Sequence, residues 1–205
     1  MISRDKNRAS IIMWSVANET PHGDDRLTFL TNLINKTRSL DSSRLVTAAL
    51  DTSKGANGVM LIDDPLANLV DVIGINAYCG WYGKKPYECS DISWESKYHK
   101  PVIMSEFGGG AKQGLHGKVN ERWTEEYQAA VYEHNINLLK KNSIFKGTTP
   151  WILKDFRSPK RPLANIQDYW NRKGLLSETG VKKQAWYKLR NFYSKIQNSE
   201  DNDAK

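Results

Sequence analysis

The run Ser10-Ile11-Ile12-Met13-Trp14-Ser15-Val16-Ala17-Asn18-Glu19 constrains this chain more than any other stretch, because an apolar segment carries two polar side chains to its far end and stops. Pro21 and Gly23 lie just beyond it. Ile11 to Val16 is short, β-branched and aromatic, the pattern of a strand rather than of a helical turn. Nearly continuous apolar sequence also predicts burial on both faces, as in the parallel sheets of α/β proteins. Asn18 and Glu19 then stand at the strand's carboxyl end, the side on which barrels and open α/β sheets bind ligands.

Beyond Glu19 the chain repeats the pattern. Pro21 to Asp25 is a loop in which Asp24 or Asp25 caps a helix, and Leu27, Leu30, Leu33, Ile34 and Leu40 fall at helical spacing over 27–40. Arg44 to Leu50 reads as a second strand and Val70 to Ala77 as a third, with a glycine-marked loop between them. An irregular aromatic stretch, with a helical turn over 92–98, leads to a fourth strand at 101–105 that ends on Glu106 and three glycines. Thr124 to Leu139 is an amphipathic helix with Tyr127, Val131, His134 and Leu138 on one face. A fifth strand is expected over 148–153, then a long loop and a last helix over 183–196 with Trp186, Leu189, Phe192, Tyr193 and Ile196 inward. Alternation of this kind implies parallel strands joined by crossovers.

With 205 residues, 39% of them apolar, residues 1–197 suffice for one domain, and the polar stretch 198–205 is expected to be a disordered tail. The net charge of +7 comes from 30 basic and 23 acidic residues scattered along the chain, with no basic run interleaved with aromatics, so nucleic acid is not an expected partner. No apolar run approaches membrane-spanning length and the first residues carry no signal-like region, so no membrane partner is expected. The compartment is left open: cytoplasmic, or periplasmic if the true N-terminus lies upstream. Cys79 and Cys89 belong to no CxxC or Cys/His cluster, which argues against a metal site; a disulfide between them is possible, but spacing does not decide it.

Parallel strands place Glu19 and Glu106 at the same face. Two glutamates sharing a pocket repel when both are ionised, so one is held protonated while the other stays charged. Glycosidases use such a pair, an acid for the leaving oxygen and a carboxylate for the anomeric carbon.

These motifs carry a resemblance. RDKNRASIIMWSVANE, RLVTAALD, VDVIGINAYCGWY, KPVIMSEFGG, GLH, EEYQ and WILKDFRSP, in this order and over most of the chain, resemble the catalytic barrel of glycoside hydrolase family 2, most of all its β-glucuronidase branch. The resemblance implies an eightfold β/α (TIM) barrel of which this chain supplies about strands four to eight. It implies a retaining mechanism with Glu19 as general acid/base and Glu106 as nucleophile, and Asn18 on the sugar 2-hydroxyl. Tyr78, Tyr82 and Trp151 match the family's pocket aromatics, although by themselves all three read as core packing. His116 stays outside the catalytic set. Asn171 and Lys173, in Asn171-Arg172-Lys173, match the pair that binds the sugar's C6 carboxylate, a charge-assisted contact that a neutral sugar would leave unmade. No cofactor is implied.

Three positions depart from the branch's pattern. Gln167 stands where an arginine four residues before the Asn is usual, and Ala77 and Cys79 replace more usual residues. β-Glucuronide, β-galacturonide and β-galactoside therefore all stay open as substrates. Family members are much longer, so the chain is expected to be a fragment whose partner is the missing N-terminal part of the same enzyme, with a homo-oligomer possible when complete. An inactive or merely carbohydrate-binding remnant is the rival to an active fragment.

Overall fold

The structure is a computed structural model and describes residues 1–203. In chain order its elements are α1 (Ile2–Asp5), β1 (Met13–Asn18), α2 (Asp24–Leu40), β2 (Leu45–Leu50), β3 (Ser53–Lys54), β4 (Met60–Ile62), β5 (Val72–Asn76), β6 (Trp94–Ser96), β7 (Val102–Glu106), α3 (Glu125–Lys141), β8 (Phe145–Thr148), β9 (Phe156–Arg157), β10 (Trp170–Asn171) and α4 (Gln184–Asp203). They fall into two compact units. The first comprises Met1–Ala77, Ile92–Glu106 and Asn142–Thr149; the second comprises Tyr78–Asp91, Phe107–Lys141 and the chain from Pro150 onward.

The first unit is built on a parallel sheet in the order β1-β2-β5-β7-β8. The sheet does not close, and β1 and β8 are its edges. Its central strands are apolar because both faces are covered: Val46, Ala48, Leu50, Ile73, Ile75, Val102 and Met104 are all at 2% exposure or less. Helix α2 buries Leu30 and Ile34. Its N-cap is Gly23, and Asp24 and Asp25 lie in the first turn, where the helix dipole favours negative charge, rather than at the cap.

Three expectations about strands change. The first strand starts at Met13, and only Trp14 in it is buried, while Ile12 is 71% exposed. As an edge of an open sheet, β1 has a neighbour on one flank only, so it is not the doubly covered strand its composition suggested. The expected helical turn over 92–98 is instead strand β6, which pairs in parallel with β4 in a small sheet ordered β3-β4-β6. Trp94 decides this: its backbone N–H donates to Asn142 Oδ1 at 2.8 Å and its ring meets Phe145 edge-on at 5.7 Å. The fifth strand of the large sheet is Phe145–Thr148, upstream of the apolar run over 148–153, because Phe145 and Thr148 register with Val102 and Met104 and Pro150 has no N–H to continue a ladder.

In the second unit α3 is buried nearly all round, and Trp81, Tyr127 and Val131 form a small core against which Tyr78 and Trp123 pack. Cys79 and Cys89 are joined in a disulfide, Cα to Cα 5.8 Å, which closes the loop after Tyr78. Helix α4 buries Ala185 and Leu189, whereas Tyr193 and Ile196, expected inward, are each 40% exposed. This helix continues to Asp203, so 198–203 of the expected tail are helical; residues 204–205 lie outside the described residues. No glycine or proline interrupts 184–203, and a polar sequence without apolar spacing still propagates a helix already nucleated on its packed first turns. No helix among the described residues is long and apolar enough to cross a membrane.

Candidate active site

In the first unit, parallel register levels the carboxyl ends of the strands: Asn18 pairs with Ala49, Leu50 with Ile75, and Asn76 with Glu106. Glu19 follows β1 with φ 48°, in the left-handed region that a side chain seldom adopts, and its N–H still donates to Ala49 O at 3.0 Å. The next residue is tied down too. Thr20 Oγ1 accepts from Arg26 Nε at 2.8 Å, and Arg26 makes a two-pronged pair with the fully buried Asp64 at 2.7 and 3.0 Å.

Asn76 links the strand ends. Its Nδ2 donates to Glu19 Oε1 at 2.7 Å and to Asn18 Oδ1 at 3.0 Å, and its Oδ1 meets Ser105 Oγ at 2.8 Å. Two strand spacings of about 4.8 Å separate β1 from β5 in a flat sheet. The Asn76 and Glu19 side chains span that interval through one 2.7 Å bond. On its other side Asn76 is the register partner of Glu106, whose carbonyl accepts from Ala77 N at 2.8 Å. Glu19, Asn76 and Glu106 thus form a continuous edge, with Asn18 beside Glu19.

In the second unit Tyr78 and Tyr82 lie edge to face, with ring centroids 5.2 Å apart. Lys173 is only 5% exposed; its Nζ donates to Tyr82 Oη and stands 4.4 Å from the Tyr78 ring centre and 4.3 Å from that of Tyr82. Burial alone would raise the Tyr82 phenol, but the hydrogen bond and charge of Lys173, with the guanidinium of Arg161, outweigh it and hold the group below the ordinary phenol range. Asn171 Oδ1 accepts from Lys173 N at 3.1 Å, so the acceptor end of its amide is committed to the turn. Trp151 lies past β8 rather than at the end of a strand; its N–H donates to Phe107 O at 2.9 Å and its ring meets Phe156 edge-on at 6.1 Å. His116 is exposed and bonds Glu126 at 2.8 Å.

Three features lie outside the expectations drawn from the sequence. Gln167, where an arginine is usual, is buried, and its backbone makes a turn through Leu163 and Trp170; the guanidinium that acts on Tyr82 belongs instead to Arg161, ahead of an intervening loop, so a fixed count back from Asn171 misses it. The second is Asn76, which sits inside a motif already singled out and carries the same signal as Asn18, an asparagine at a strand's carboxyl end. The third lies behind Asn171-Arg172-Lys173. Lys183 Nζ, fully buried, donates to Ala111 O at 2.7 Å and to both Asp155 oxygens at 2.9 and 3.0 Å, while Asp155 Oδ1 also accepts from Gly174 N at 2.8 Å. Arg172 turns into the same cluster, bonding Glu178 Oε2 at 2.5 Å. Burial pushes the Asp155 carboxyl up and the Lys183 ammonium down, against their mutual attraction. Gly174 is required there, since a Cβ would stand 2.2 Å from the Asp155 nitrogen. Among the described residues no group of three or more His, Cys, Asp or Glu could hold a metal ion.

Residues 1–198 match the family described as "Glycosyl hydrolases family 2, TIM barrel domain". The beta-glucuronidase of Homo sapiens is 34% identical over 209 residues, covering 97% of this chain and 31% of that protein. The solved beta-D-glucuronidase of Dictyoglomus thermophilum superposes with a TM-score of 0.72 at 28% identity, over 92% of this chain and 33% of its own. A beta-galacturonidase from Eisenbergiella tayi, bound to galacturonate, gives a TM-score of 0.79 at 23% identity, over 95% and 35% of the two chains, a likeness of fold. The chain spans about a third of the length of the curated relatives it matches.

Proposed function

The chain belongs to glycosyl hydrolase family 2, as part of its TIM-barrel domain, and from that membership we propose that it carries the chemistry of a retaining β-glycosidase acting on terminal β-D-uronides, β-glucuronides foremost. Glu106 is the nucleophile and Glu19 the general acid/base. As Glu106 attacks the anomeric carbon, Glu19 gives its proton to the glycosidic oxygen and the aglycone departs; Glu19 then takes a proton from the water that releases the sugar from Glu106. Such a pathway needs carboxyl groups about 5 to 5.5 Å apart. The observation that carries the reading is that Asn76, the register partner of Glu106, bonds Glu19 through its side chain at the carboxyl edge of the sheet. Asn18, beside Glu19, is the contact to the sugar 2-hydroxyl.

We assign the uronide preference to Lys173 and its neighbours. Lys173, with Asn171 and Arg161, reads the C6 carboxylate, Tyr78 and Tyr82 frame the lysine, and Trp151 offers an aromatic surface. Two cations acting on one phenol are poorly balanced by a neutral hydroxyl, which favours an anionic ligand. Glucuronide is preferred over galacturonide on the names of the relatives above 30% identity.

Hydrolysis of chromogenic β-glucuronide, β-galacturonide and β-galactoside by the chain, by Glu106→Gln and by Lys173→Met is the test. Turnover of a uronide that disappears in Glu106→Gln and falls about 100-fold in kcat/KM in Lys173→Met is the expected result. Turnover of galactoside alone would sink the carboxylate assignment, and no turnover of any would favour an inactive fragment.

A further inference from the structure

We propose that Asn76, set by Ser105, is the positioning residue of the general acid/base: it fixes the Glu19 carboxyl so that its reactive proton is carried on Oε2. The proposal rests on Glu19 being the acid/base. The stoichiometry of the amide is complete. Nδ2 has two hydrogens and two acceptors, Glu19 Oε1 at 2.7 Å and Asn18 Oδ1 at 3.0 Å, and Oδ1 faces the Ser105 hydroxyl at 2.8 Å. Asn76 therefore has no donor left for a sugar, and its role is exercised on its neighbours. An amide turned the other way would set its oxygen against both Asn18 Oδ1 and Glu19 Oε1, each an acceptor, so the orientation follows from the partners.

Ser105 itself is held. Its Oγ lies 2.9 Å from Ile75 O and 2.8 Å from the amide oxygen, two acceptors that share its one hydrogen, and Thr149 Oγ1 donates to the Ser105 carbonyl at 2.8 Å. Room for the hydroxyl comes from Gly74, where a Cβ would stand 3.1 Å from Ser105 Oγ and 2.9 Å from Ala48 O. The chain of contacts runs Gly74, Ser105, Asn76, Glu19, across β7, β5 and β1. With Oε1 occupied by an N–H donor, the proton of the neutral carboxyl stands on Oε2, and that oxygen hands it to the leaving group. The same bond turns the Asn18 amide so that its Nδ2 faces away from Asn76, as a donor for a hydroxyl.

Asn76→Asp keeps the shape and removes both N–H donors. It is expected to lower kcat for phenyl β-D-glucuronide, whose leaving group needs a proton, about 100-fold, with KM little changed. For 2,4-dinitrophenyl β-D-glucuronide, which departs without one, the loss in kcat/KM, which reports attack by Glu106 and not the later water step, is expected to stay below about fivefold. Ser105→Ala should act in the same direction about tenfold, and Ser105→Thr should restore activity. Equal losses of kcat/KM on both glycosides, or a change in KM alone, would overturn the proposal while leaving the nucleophile, tested by Glu106→Gln, untouched. Should the chain turn over neither glycoside, the side-chain amide resonances of Asn76 decide: they move in Glu19→Ala if the bond exists, and their failure to move overturns the proposal without any reference to activity.

Discussion

The strand edge that carries Glu19 and the segment that carries Lys173 hold their functional groups by opposite means. At the edge, Glu19 itself is held by neutral groups, an amide, a hydroxyl and backbone carbonyls set by parallel register, and the Arg26–Asp64 ion pair acts only on the next residue, Thr20. Around Lys173 the holding is ionic and dry, with Asp155, Lys183 and Arg172 at 3%, 0% and 5% exposure behind it. A neutral bond adds about 1 kcal/mol and tolerates loss of a partner near solvent. A buried ion pair adds little net stability, yet leaving one member unpaired costs several kcal/mol. The edge is thus tuned for geometry and open to water, whereas the lysine segment is an all-or-none support.

Breaking that support is the largest expected effect. Asp155→Leu leaves Lys183 buried without its counter-charge and is expected to cost about 3 to 5 kcal/mol in urea unfolding. Asp155→Leu with Lys183→Met should recover most of that loss. A double variant as unstable as the single would mean that Asp155 acts through Gly174 N and Arg172 rather than through the ion pair. Next in size is the covalent tie of the same unit. Cys79→Ser opens the loop that carries Tyr82 and is expected to cost about 2 to 3 kcal/mol. Reductant should produce the same drop in the parent protein and none in the variant; equal sensitivity of both would contradict the disulfide.

The smallest effect sharpens the contrast between buried and exposed charge. His116 and Glu126 pair near the start of α3 in partial contact with water. Burial would raise Glu126, but His116, Gln184 and Gly117 outweigh it and bring the carboxyl from 4.5 to about 2, so its contribution is present above pH 4.5 and lost as pH falls toward 2. His116 is raised from 6.5 by Glu126, so its contribution is present below pH 6.5 and lost as pH rises through its folded value. The urea midpoint of His116→Ala should therefore trail the parent most between pH 4.5 and 6.5, and the gap should narrow toward pH 9 and toward pH 2. A gap independent of pH would assign His116 a packing role only.

Local pattern determined a good deal by itself. The strands before Glu19 and Glu106, the helices α2 and α3 and the α/β class follow from apolar periodicity, because a strand or helix buried on a given face writes that face into neighbouring residues. The family followed from motifs whose order survives in the chain. Tertiary structure alone decided the rest. Composition could not reveal that β1 is a half-exposed edge, since that depends on which strands pair beside it. Phe145 to Thr148 became a strand through pairing with β7, a choice made by a partner more than forty residues away in sequence. Arg161 reaches Tyr82, Lys183 reaches Asp155 and Asn76 reaches Glu19 across long intervals, and no spacing rule encodes such contacts because they exist only once the backbone is folded.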